Sequence, residues 1–441
     1  MSLHDGNGFS GRRRPKSERP GRPSRLRDIA HGISGWTQTL PGRREVVTPC
    51  VDAGRLFVGG GFGSFEFYAF DAGTGKLAWQ RHTRDDGPTA AVVKDGCVVF
   101  NTESCTVCVL DARTGETRWE RWLGDPLLAQ PAVGGGLVFM AWPAKGDHRL
   151  GAFDLQKGRT TWQAQIPGDV ITAPVYSEGA VYVSTFDGTV SCFDASSGRP
   201  EWSESMSATS APWVWKGNVF VSRRDPREKG PMPSESLWRA RSARAGRMGE
   251  MKKAAYLRSP RGTASFAADL AKDTSVGFGS APAAAKLDQA ERLTGSASVS
   301  RAWSYQGSRP CVWNGNIYSV VGDELTARDV ESDAELWTWK AGFDDTGDFV
   351  ERALTPPAVT NGRVYAGTRD GQLRCWDAGS GESLFAYPVA SCLSWQPVVA
   401  NGWLYCGAPD GRLVALHTGD PKDDGWPMWG GGAGHCGAGV D

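Results

Sequence analysis

One segment of the chain occurs repeatedly, and each copy leads to an aromatic residue. Asp71-Ala-Gly-Thr-Gly75, followed by Trp79, recurs as Asp111-Ala-Arg-Thr-Gly115, followed by Trp119. The recurring aspartates are Asp71, Asp111, Asp154, Asp194, Asp329 and Asp377, and an aromatic residue lies eight residues after each of them. The recurring tryptophans are Trp36, Trp79, Trp119, Trp162, Trp202, Trp303 and Trp337. Because the period is about 40 residues, the chain is predicted to be an array of one small unit.

Further signals divide each unit into short strands. A proline opens an apolar run, a turn such as Asn361-Gly362 leads to a second run, and a turn such as Asp370-Gly371 precedes the third. Such Asn-Gly and Asp-Gly pairs favour the positive φ angles of tight hairpins. The opening prolines are Pro49, Pro88, Pro131, Pro174, Pro212, Pro310, Pro357 and Pro397. Four strands in about 40 residues, eight times over, predict an all-β, eight-bladed β-propeller of four-stranded antiparallel blades.

The repeated residues have a structural explanation. Each aspartate is expected to accept backbone N–H bonds in its turn, and the glycine four residues later to adopt a left-handed φ. Each tryptophan is expected to pack between blades, with its ring N–H hydrogen-bonded at the rim. A catalytic role for these carboxylates is disfavoured, because the turn requires one in nearly every unit.

The propeller is predicted to span residues 33–420. Trp36 has no strands before it, and the last unit has Gly425 where its tryptophan should stand. Residues 33–40 are therefore predicted to close the ring as the outer strand of blade eight, which removes the open edges of an unclosed array. Residues 1–32 are predicted to be a flexible basic tail, and residues 421–441 a Gly-rich tail with a Trp-Pro-Met-Trp segment.

Blade five is interrupted in the sequence. Its degenerate turn begins at Ser242, but the matching Trp303 comes far more than eight residues later. An insertion of about 243–300 is therefore predicted, partly helical over 263–272 and 282–293, with Ser280 as a candidate N-cap. Long insertions on rigid scaffolds often carry function, and a packing flap without function is the alternative.

Composition and charge exclude several classes of protein. Lys and Arg together number 49, as do Asp and Glu, so no specific nucleic-acid partner is expected. No apolar run approaches the roughly 18 residues of a membrane-spanning helix. The ten cysteines are scattered through apolar runs, which indicates reduced, buried thiols rather than a disulfide framework. Cys105 and Cys108 have no second ligand pair, so no metal site is predicted.

The sequence does not decide the cellular compartment of the protein. No signal peptide is recognisable at the N-terminus, because no apolar stretch follows Arg12-Arg13. That observation and the reduced thiols favour the cytoplasm, with the periplasm or cell envelope as the alternative. The chain is expected to be a monomer.

The repeated Asp-Ala-x-Thr-Gly-x-x-x-Trp motif resembles the PQQ-like, or quinoprotein-like, β-propeller repeat family over about residues 33–420. The segment from Trp426 to Gly437 resembles the family's Trp-Pro-Met-aromatic segment, and the chain's size is similar to the BamB-like branch. That resemblance implies a protein-binding scaffold without catalytic activity or cofactor, with envelope or outer-membrane protein assembly as the expected setting. A quinone-dependent dehydrogenase is the enzyme alternative, but the vicinal Cys-Cys pair and calcium site that the family implies for it are missing.

The aromatics outside the repeat give a binding hypothesis. Several of them lie near the prolines that open the inner strands, where they would face a central mouth. The residues of this hypothesis are Trp213, Trp215, Trp313, Trp395, Gln130, Arg309 and Gln396. Indoles and amides around an axis could hold a ligand or a peptide, and ordinary strand packing is the alternative. Function is thus predicted as protein binding with an unidentified partner, with a ligand-binding sensor as the second reading.

Overall fold

The computed structural model of the protein describes residues 17–28, 32–124, 129–144, 147–224, 235–241, 310–321, 324–340, 354–368 and 370–425. Over these residues the chain forms thirty-two β-strands and no helix. The strands assemble into eight separate antiparallel sheets, which we number from one to eight in chain order by their innermost strands.

The first half of the chain builds four complete sheets. β1 (Ser24–Asp28) and β2 (Ile33–Thr39) come first in the chain. Sheet one contains β3 (Cys50–Asp52), β4 (Arg55–Gly59), β5 (Glu66–Asp71) and β6 (Leu77–His82). Sheet two contains β7 (Val92–Lys94), β8 (Cys97–Asn101), β9 (Thr106–Asp111) and β10 (Thr117–Trp122). Sheet three contains β11 (Ala132–Gly134), β12 (Leu137–Ala144), β13 (Asp147–Asp154) and β14 (Thr160–Ile166). Sheet four contains β15 (Val175–Ser177), β16 (Ala180–Ser184), β17 (Thr189–Asp194) and β18 (Pro200–Ser205).

The second half builds the other four sheets. Sheet five contains β19 (Trp213–Trp215), β20 (Asn218–Arg224) and β21 (Glu235–Arg241). Sheet six contains β22 (Pro310–Trp313), β23 (Asn316–Val321), β24 (Glu324–Asp329) and β25 (Glu335–Lys340). Sheet seven contains β26 (Ala358–Thr360), β27 (Arg363–Gly367), β28 (Gln372–Asp377) and β29 (Ser383–Pro388). Sheet eight contains β30 (Val398–Ala400), β31 (Trp403–Gly407) and β32 (Arg412–His417), followed outward by β2 and β1.

The sheets are arranged as a propeller. The innermost strand of each sheet contacts the innermost strand of the next, and β30 of sheet eight contacts β3 of sheet one, so the ring is closed. Because neighbouring strands are antiparallel, the segments that lead into the inner strands lie on one face, which we call the upper face. The Asp-x-x-x-Gly turns lie on the opposite, lower face. Apolar side chains from facing sheets fill the spaces between blades.

The prediction of eight four-stranded blades is wrong, because two of the eight sheets do not have four strands among the described residues. Seven sheets have four or five strands, but sheet five has three, because the chain leaves β21 into the residues that interrupt the repeat. The predicted insertion of about 243–300, its helical segments and Trp303 all lie outside the described residues. Sheet eight differs in the other direction, since β2 pairs with β32 and β1 adds a fifth strand. β1 lies within the segment predicted as a flexible tail.

The turn aspartates fasten the lower face. In all six turns the carboxylate accepts the backbone N–H three residues on, as Asp377 does from Ser380 at 2.8 Å. These hydrogen bonds favour the charged form, and the pKa of Asp194 is held well below its ordinary value, chiefly by the hydroxyls of Ser196 and Ser197. The pKa of Asp111 is lowered to about 2, chiefly by its hydrogen bond from Arg118.

Five of the repeated tryptophans join their blade to the next through a ring N–H bond, whereas the buried ring N–H of Trp202 has no partner among the described residues. The Trp119 indole N–H donates to the Leu155 carbonyl at 2.8 Å, across the boundary between sheets two and three. Its ring covers Gly158, where a Cβ would lie 2.6 Å from the indole and φ is +64°. Equivalent indole bonds are made by Trp36, Trp79, Trp162 and Trp337. The glycine of the motif is therefore required by the ring of the preceding blade as well as by its own φ.

The C-terminal residues that are described also bind the ring. Asp423 is fully buried, and its carboxylate accepts hydrogen bonds from Asn361 and Arg363 at 2.9 Å and from Tyr365 at 3.0 Å. In sheet seven, Phe385 occupies the position that the repeated tryptophan has in other sheets, and a phenyl ring donates no hydrogen bond. The Asp423 carboxylate thus fastens sheets seven and eight where an indole bond is missing. It lies in the segment predicted as a tail.

Candidate functional site

The structure divides the predicted mouth residues between different blade interfaces. Trp213, Trp215 and Trp313 pack on one core cluster formed by sheets five, six and seven, and Trp395 belongs to another formed by sheets seven, eight and one. Arg309 lies outside the described residues. The four indoles therefore do not meet in one group.

The indoles differ in burial and in polar contacts. Trp213 is 4% exposed and Trp395 is 1% exposed, whereas Trp215 and Trp313 are half-buried. The Trp395 ring N–H donates to a Glu45 carboxylate oxygen at 3.2 Å. Lys216 places its ammonium 4.9 Å from the centre of the Trp215 ring, in a cation–π contact. These contacts fit a packing role for all four rings.

Gln396 bridges three blades on the upper face. Its Nε2 donates to the Pro357 carbonyl at 2.9 Å, and its own carbonyl accepts from the Thr48 hydroxyl at 3.3 Å. The side chain is 2% exposed, and its Oε1 has no hydrogen-bond partner among the described residues. The two hydrogen bonds of Gln396 join sheets seven, eight and one, whereas its buried Oε1 makes none with the described residues.

Gln130 occupies the corresponding position in sheet three. Its backbone N–H donates to the Thr172 carbonyl of the next blade at 2.8 Å. The side chain is 1% exposed, and its Oε1 lacks a partner in the part of the chain that the structure describes. Each glutamine therefore has a buried amide oxygen without a partner among the described residues, and the two glutamines lie three sheets apart around the ring.

An acidic group lies on the upper face between sheets one and two. Asp85 is buried and accepts hydrogen bonds from Thr102 Oγ1, the Ser104 amide and the Ser104 hydroxyl at 2.5 to 3.0 Å. Burial, and then the charges of Asp86 and Asp85, raise the pKa of Glu103 to about 7. This carboxyl changes its charge near neutral pH, a property that the sequence did not indicate.

The cysteines are arranged as separate apolar side chains. Of the nine in the described residues, all but Cys392 are buried, and none forms a disulfide. Burial raises the pKa of thiols such as Cys108 and Cys311 well above their ordinary value, which disfavours the reactive thiolate. Cys105 and Cys108 belong to different core clusters. In the described ranges no group of three or more His, Cys, Asp or Glu side chains could hold a metal ion.

The outer rim carries a feature that the sequence reading missed. Residues Ser17–Asp28, which we call the N-terminal strap, run along the outside of the ring where it closes. At one end, Gln80 of sheet one donates to the Ser17 hydroxyl and the Glu18 carbonyl at 2.9 Å. At the other end, β1 pairs with β2, with Arg25 opposite Trp36. The signal for this strand was the short Ser-Arg-Leu-Arg-Asp alternation, which lies in an otherwise polar segment.

The strap also lies near sheet seven. Leu26 is half-buried and packs on the core cluster to which Phe385 and Tyr387 also attach. After burial, the charge of Asp28 is the second cause that raises the pKa of Tyr387, so these two groups lie near each other. Arg25 and Arg27 are exposed. The strap therefore contacts sheets one and eight, lies near sheet seven, and presents a basic face to solvent.

A few apolar side chains are exposed around the ring. Trp122, at the end of β10, is 68% exposed, and Leu336 and Leu384 on the outer strands of sheets six and seven are nearly half exposed. Tryptophan is enriched among the residues that dominate binding at protein interfaces. The described part of the chain contains no helix that is long and apolar enough to cross a membrane.

Curated relatives match part of the chain. An outer membrane protein assembly factor BamB from Yersinia pestis is 26% identical over 171 residues, which is 35% of this chain and 42% of the relative. The serine/threonine-protein kinase AfsK from Streptomyces griseus is 28% identical over 175 residues, 34% of this chain and 21% of the kinase. The chain thus aligns with less than half the length of these relatives.

Solved structures share the fold. BamB from Moraxella catarrhalis superposes with a TM-score of 0.57 and 16% identity, covering 86% of this chain and 96% of that one. The quinohemoprotein alcohol dehydrogenase of Comamonas testosteroni gives a TM-score of 0.56 and 15% identity, over 90% of this chain and 78% of the enzyme. At this level of identity, both similarities establish the propeller fold only.

A family model extends the match to most of the ring. It covers residues 25–244 and 292–425, well over half of the 441 residues, and it includes the strap's β1 and the Asp423 segment. Its description is "Outer membrane protein assembly factor BamB". This chain, a propeller of PQQ-like repeats, belongs to that family.

Proposed function

We propose that the chain is a non-enzymatic scaffold that binds other proteins during the assembly of outer-membrane proteins in a bacterial envelope. The observation that supports this most is the family match over the residues that build the ring. The repeated aspartates hold their own turns and the repeated tryptophans join neighbouring blades, so both have a structural role in the ring. Recognition then belongs to the loops and to the outer rim, which are the usual binding surfaces of a rigid scaffold.

The cell envelope is the compartment that this proposal requires. Buried thiols are compatible with an oxidising compartment, because a shielded thiol with a raised pKa reacts slowly. The proposal treats the chain as a monomer whose partners are proteins.

Removing the gene from its host tests the proposed function. We expect the amounts of folded β-barrel proteins in the outer membrane to fall, and expression of this chain from a plasmid to restore them. Unchanged amounts in the deletion strain would overturn the proposal. Dye reduction by the purified chain with added pyrroloquinoline quinone and Ca²⁺ would overturn the non-enzymatic part of it.

A ligand-sensing propeller is the second candidate. The partial match to a kinase and the unused amide oxygens of Gln130 and Gln396 favour it. Gln130 suits the test because only its backbone N–H makes a hydrogen bond to the next blade. A small polar molecule that raises the melting temperature of the native chain, but not of Gln130→Leu, would support sensing. Equal shifts in both proteins would count against this site.

A further inference from the structure

The outer edge of β1 is an unusual sheet edge. β1 is the fifth strand of its sheet, while the other complete sheets have four, so it stands farther from the axis than the neighbouring edges. On its outer side no strand pairs with it among the described residues. An edge strand presents alternate N–H and C=O groups that another extended segment can pair with.

The two faces of β1 differ in chemistry. Arg25 and Arg27 are exposed on one face, and residues two apart in a strand lie on the same side. Leu26 lies on the other face and packs against the core cluster formed by sheets seven, eight and one, to which Phe385 and Tyr387 also attach. A strand added beside β1 would therefore have cationic neighbours on one face and apolar neighbours on the other.

Charge argues against a second copy of this chain as the occupant. If two β1 strands paired antiparallel about Leu26, Arg25 of each would lie opposite Arg27 of the other. Like charges directly opposite each other destabilise a strand pair. A segment with carboxylates at the two corresponding positions would instead form two favourable cross-strand pairs.

We propose that the outer edge of β1 docks an extended segment of a partner protein in which acidic residues alternate with apolar ones. The segment pairs with Ser24–Arg27 through the backbone, sets its carboxylates beside Arg25 and Arg27, and lays its apolar side chains along Leu26. This inference deepens the proposed scaffold function, on which it rests, by giving the chemistry of one partner.

The test uses the full chain and synthetic ten-residue peptides. The probe alternates Glu and Val, a second peptide alternates Lys and Val, and a third is the Glu/Val peptide N-methylated at alternate amides. Binding is measured by fluorescence anisotropy, and hydrogen exchange of the Ser24–Arg27 amides reports the place. We expect the Glu/Val peptide to bind and to slow exchange there, and the other two to bind at least about tenfold more weakly.

Charge variants distinguish peptide binding at the β1 edge from nonspecific electrostatic attraction to the basic strap. Arg25→Glu/Arg27→Glu should weaken Glu/Val binding by about tenfold. Arg19→Glu/Arg22→Glu is the matched control, because these arginines are exposed in the same strap but outside β1. If the first variant unfolds, Arg25→Gln/Arg27→Gln replaces it, with a smaller loss expected.

Several results would overturn the inference. They are no binding, equal binding of the Glu and Lys peptides, equal binding after N-methylation, equal effects of the two charge variants, or self-association of the chain through β1. The peptide test does not depend on the gene deletion. If the deletion strain keeps its normal amounts of folded β-barrel proteins while the peptide still binds, the proposed function is overturned and the docking edge stands.

Discussion

At the scale of single residues, the motif tryptophan acts twice. Its ring lies on a glycine of the next blade, and its N–H donates to the carbonyl three residues before that glycine, as Trp119 does over Gly158 and to Leu155. The motif aspartate in turn shapes the loop that presents both groups. One short motif therefore specifies a turn in its own blade and a contact with another.

Replacing Trp119 by Phe separates these two contributions. The ring still covers Gly158, but the N–H bond to Leu155 is lost, so we expect the free energy of unfolding to fall by about 1 kcal/mol. Trp122→Phe in the same strand is the control, since that side chain is 68% exposed and should matter little. Urea denaturation measures both, and equal losses would contradict the assigned bond.

The turn aspartates make the protein sensitive to acid. The pKa of Asp194 is lowered in the folded state and is about 3.9 when unfolded. Its stabilising effect is therefore complete above the unfolded value and is lost as pH falls below about 4. Asp194→Asn should be less stable than the native chain at pH 7, with a difference that shrinks toward pH 2. Thermal melts across this range check it, and a constant difference would contradict the cause.

At the scale of strands and turns, the chain ends replace what the repeat lacks. Sheet seven has Phe385 instead of an indole donor, and the buried Asp423 of the C-terminal segment supplies a different fastening. Tyr318 and Tyr405 donate to turn carbonyls of the following blades, at Ala378 and Ala72, whereas Tyr365 donates to Asp423. A carboxylate thus occupies the place of a main-chain acceptor.

Asp423→Ala tests the strength of this fastening. It removes the acceptor of three hydrogen bonds and leaves Arg363 and Tyr365 without their partner, so we expect a loss of about 2–4 kcal/mol. The adjacent Asp424→Ala is the control, because its side chain is exposed and only its backbone groups make hydrogen bonds. Chemical denaturation measures both, and equal stability of the two variants would contradict the role of Asp423.

The repeat made most strands predictable from sequence. Its turn residues favour positive φ angles, and the short apolar runs between the turns recur in each unit. Local chemistry alone therefore places β3 to β18 and most later strands. The strap and Asp423 were missed because each occurs once, and their contacts are with blades distant in sequence. The hypothesis that the unrepeated indoles face a common mouth was limited for the same reason, because it depends on contacts between blades. Trp213 and Trp395 are both near opening prolines, but sequence spacing does not show which neighbouring blade a ring faces.

At the scale of the whole molecule, the ring is held at one place by both ends of the chain. The N-terminal strap and β2 join sheet eight to sheets one and seven, and the C-terminal residues join sheet eight to sheet seven. Among the described residues, every other boundary is made by residues of consecutive repeats. The closure is therefore the boundary that depends most on segments outside the repeat.

Stepwise truncation measures that dependence. Removing residues 1–28 takes away the strap, while removing residues 1–40 also takes away β2 and leaves β32 without its outer neighbour. We expect a modest fall in melting temperature for the first and a much larger fall for the second, because Trp36 and its bond to Ala72 are lost as well. Equal melting temperatures would contradict the role of β2 in closure.

The pairing of Gly35 with Leu416 has a consequence for how the protein is made. On the ribosome, β2 is synthesised early and its partner β32 almost last, so β2 waits through nearly the whole of translation. During that time sheets one to seven can form in order, as local repeats do, but the growing array keeps an open edge at each end. Such edges pair readily with other chains. The period most exposed to aggregation therefore precedes release of the chain, and a chaperone that shields strand edges would matter most at that stage.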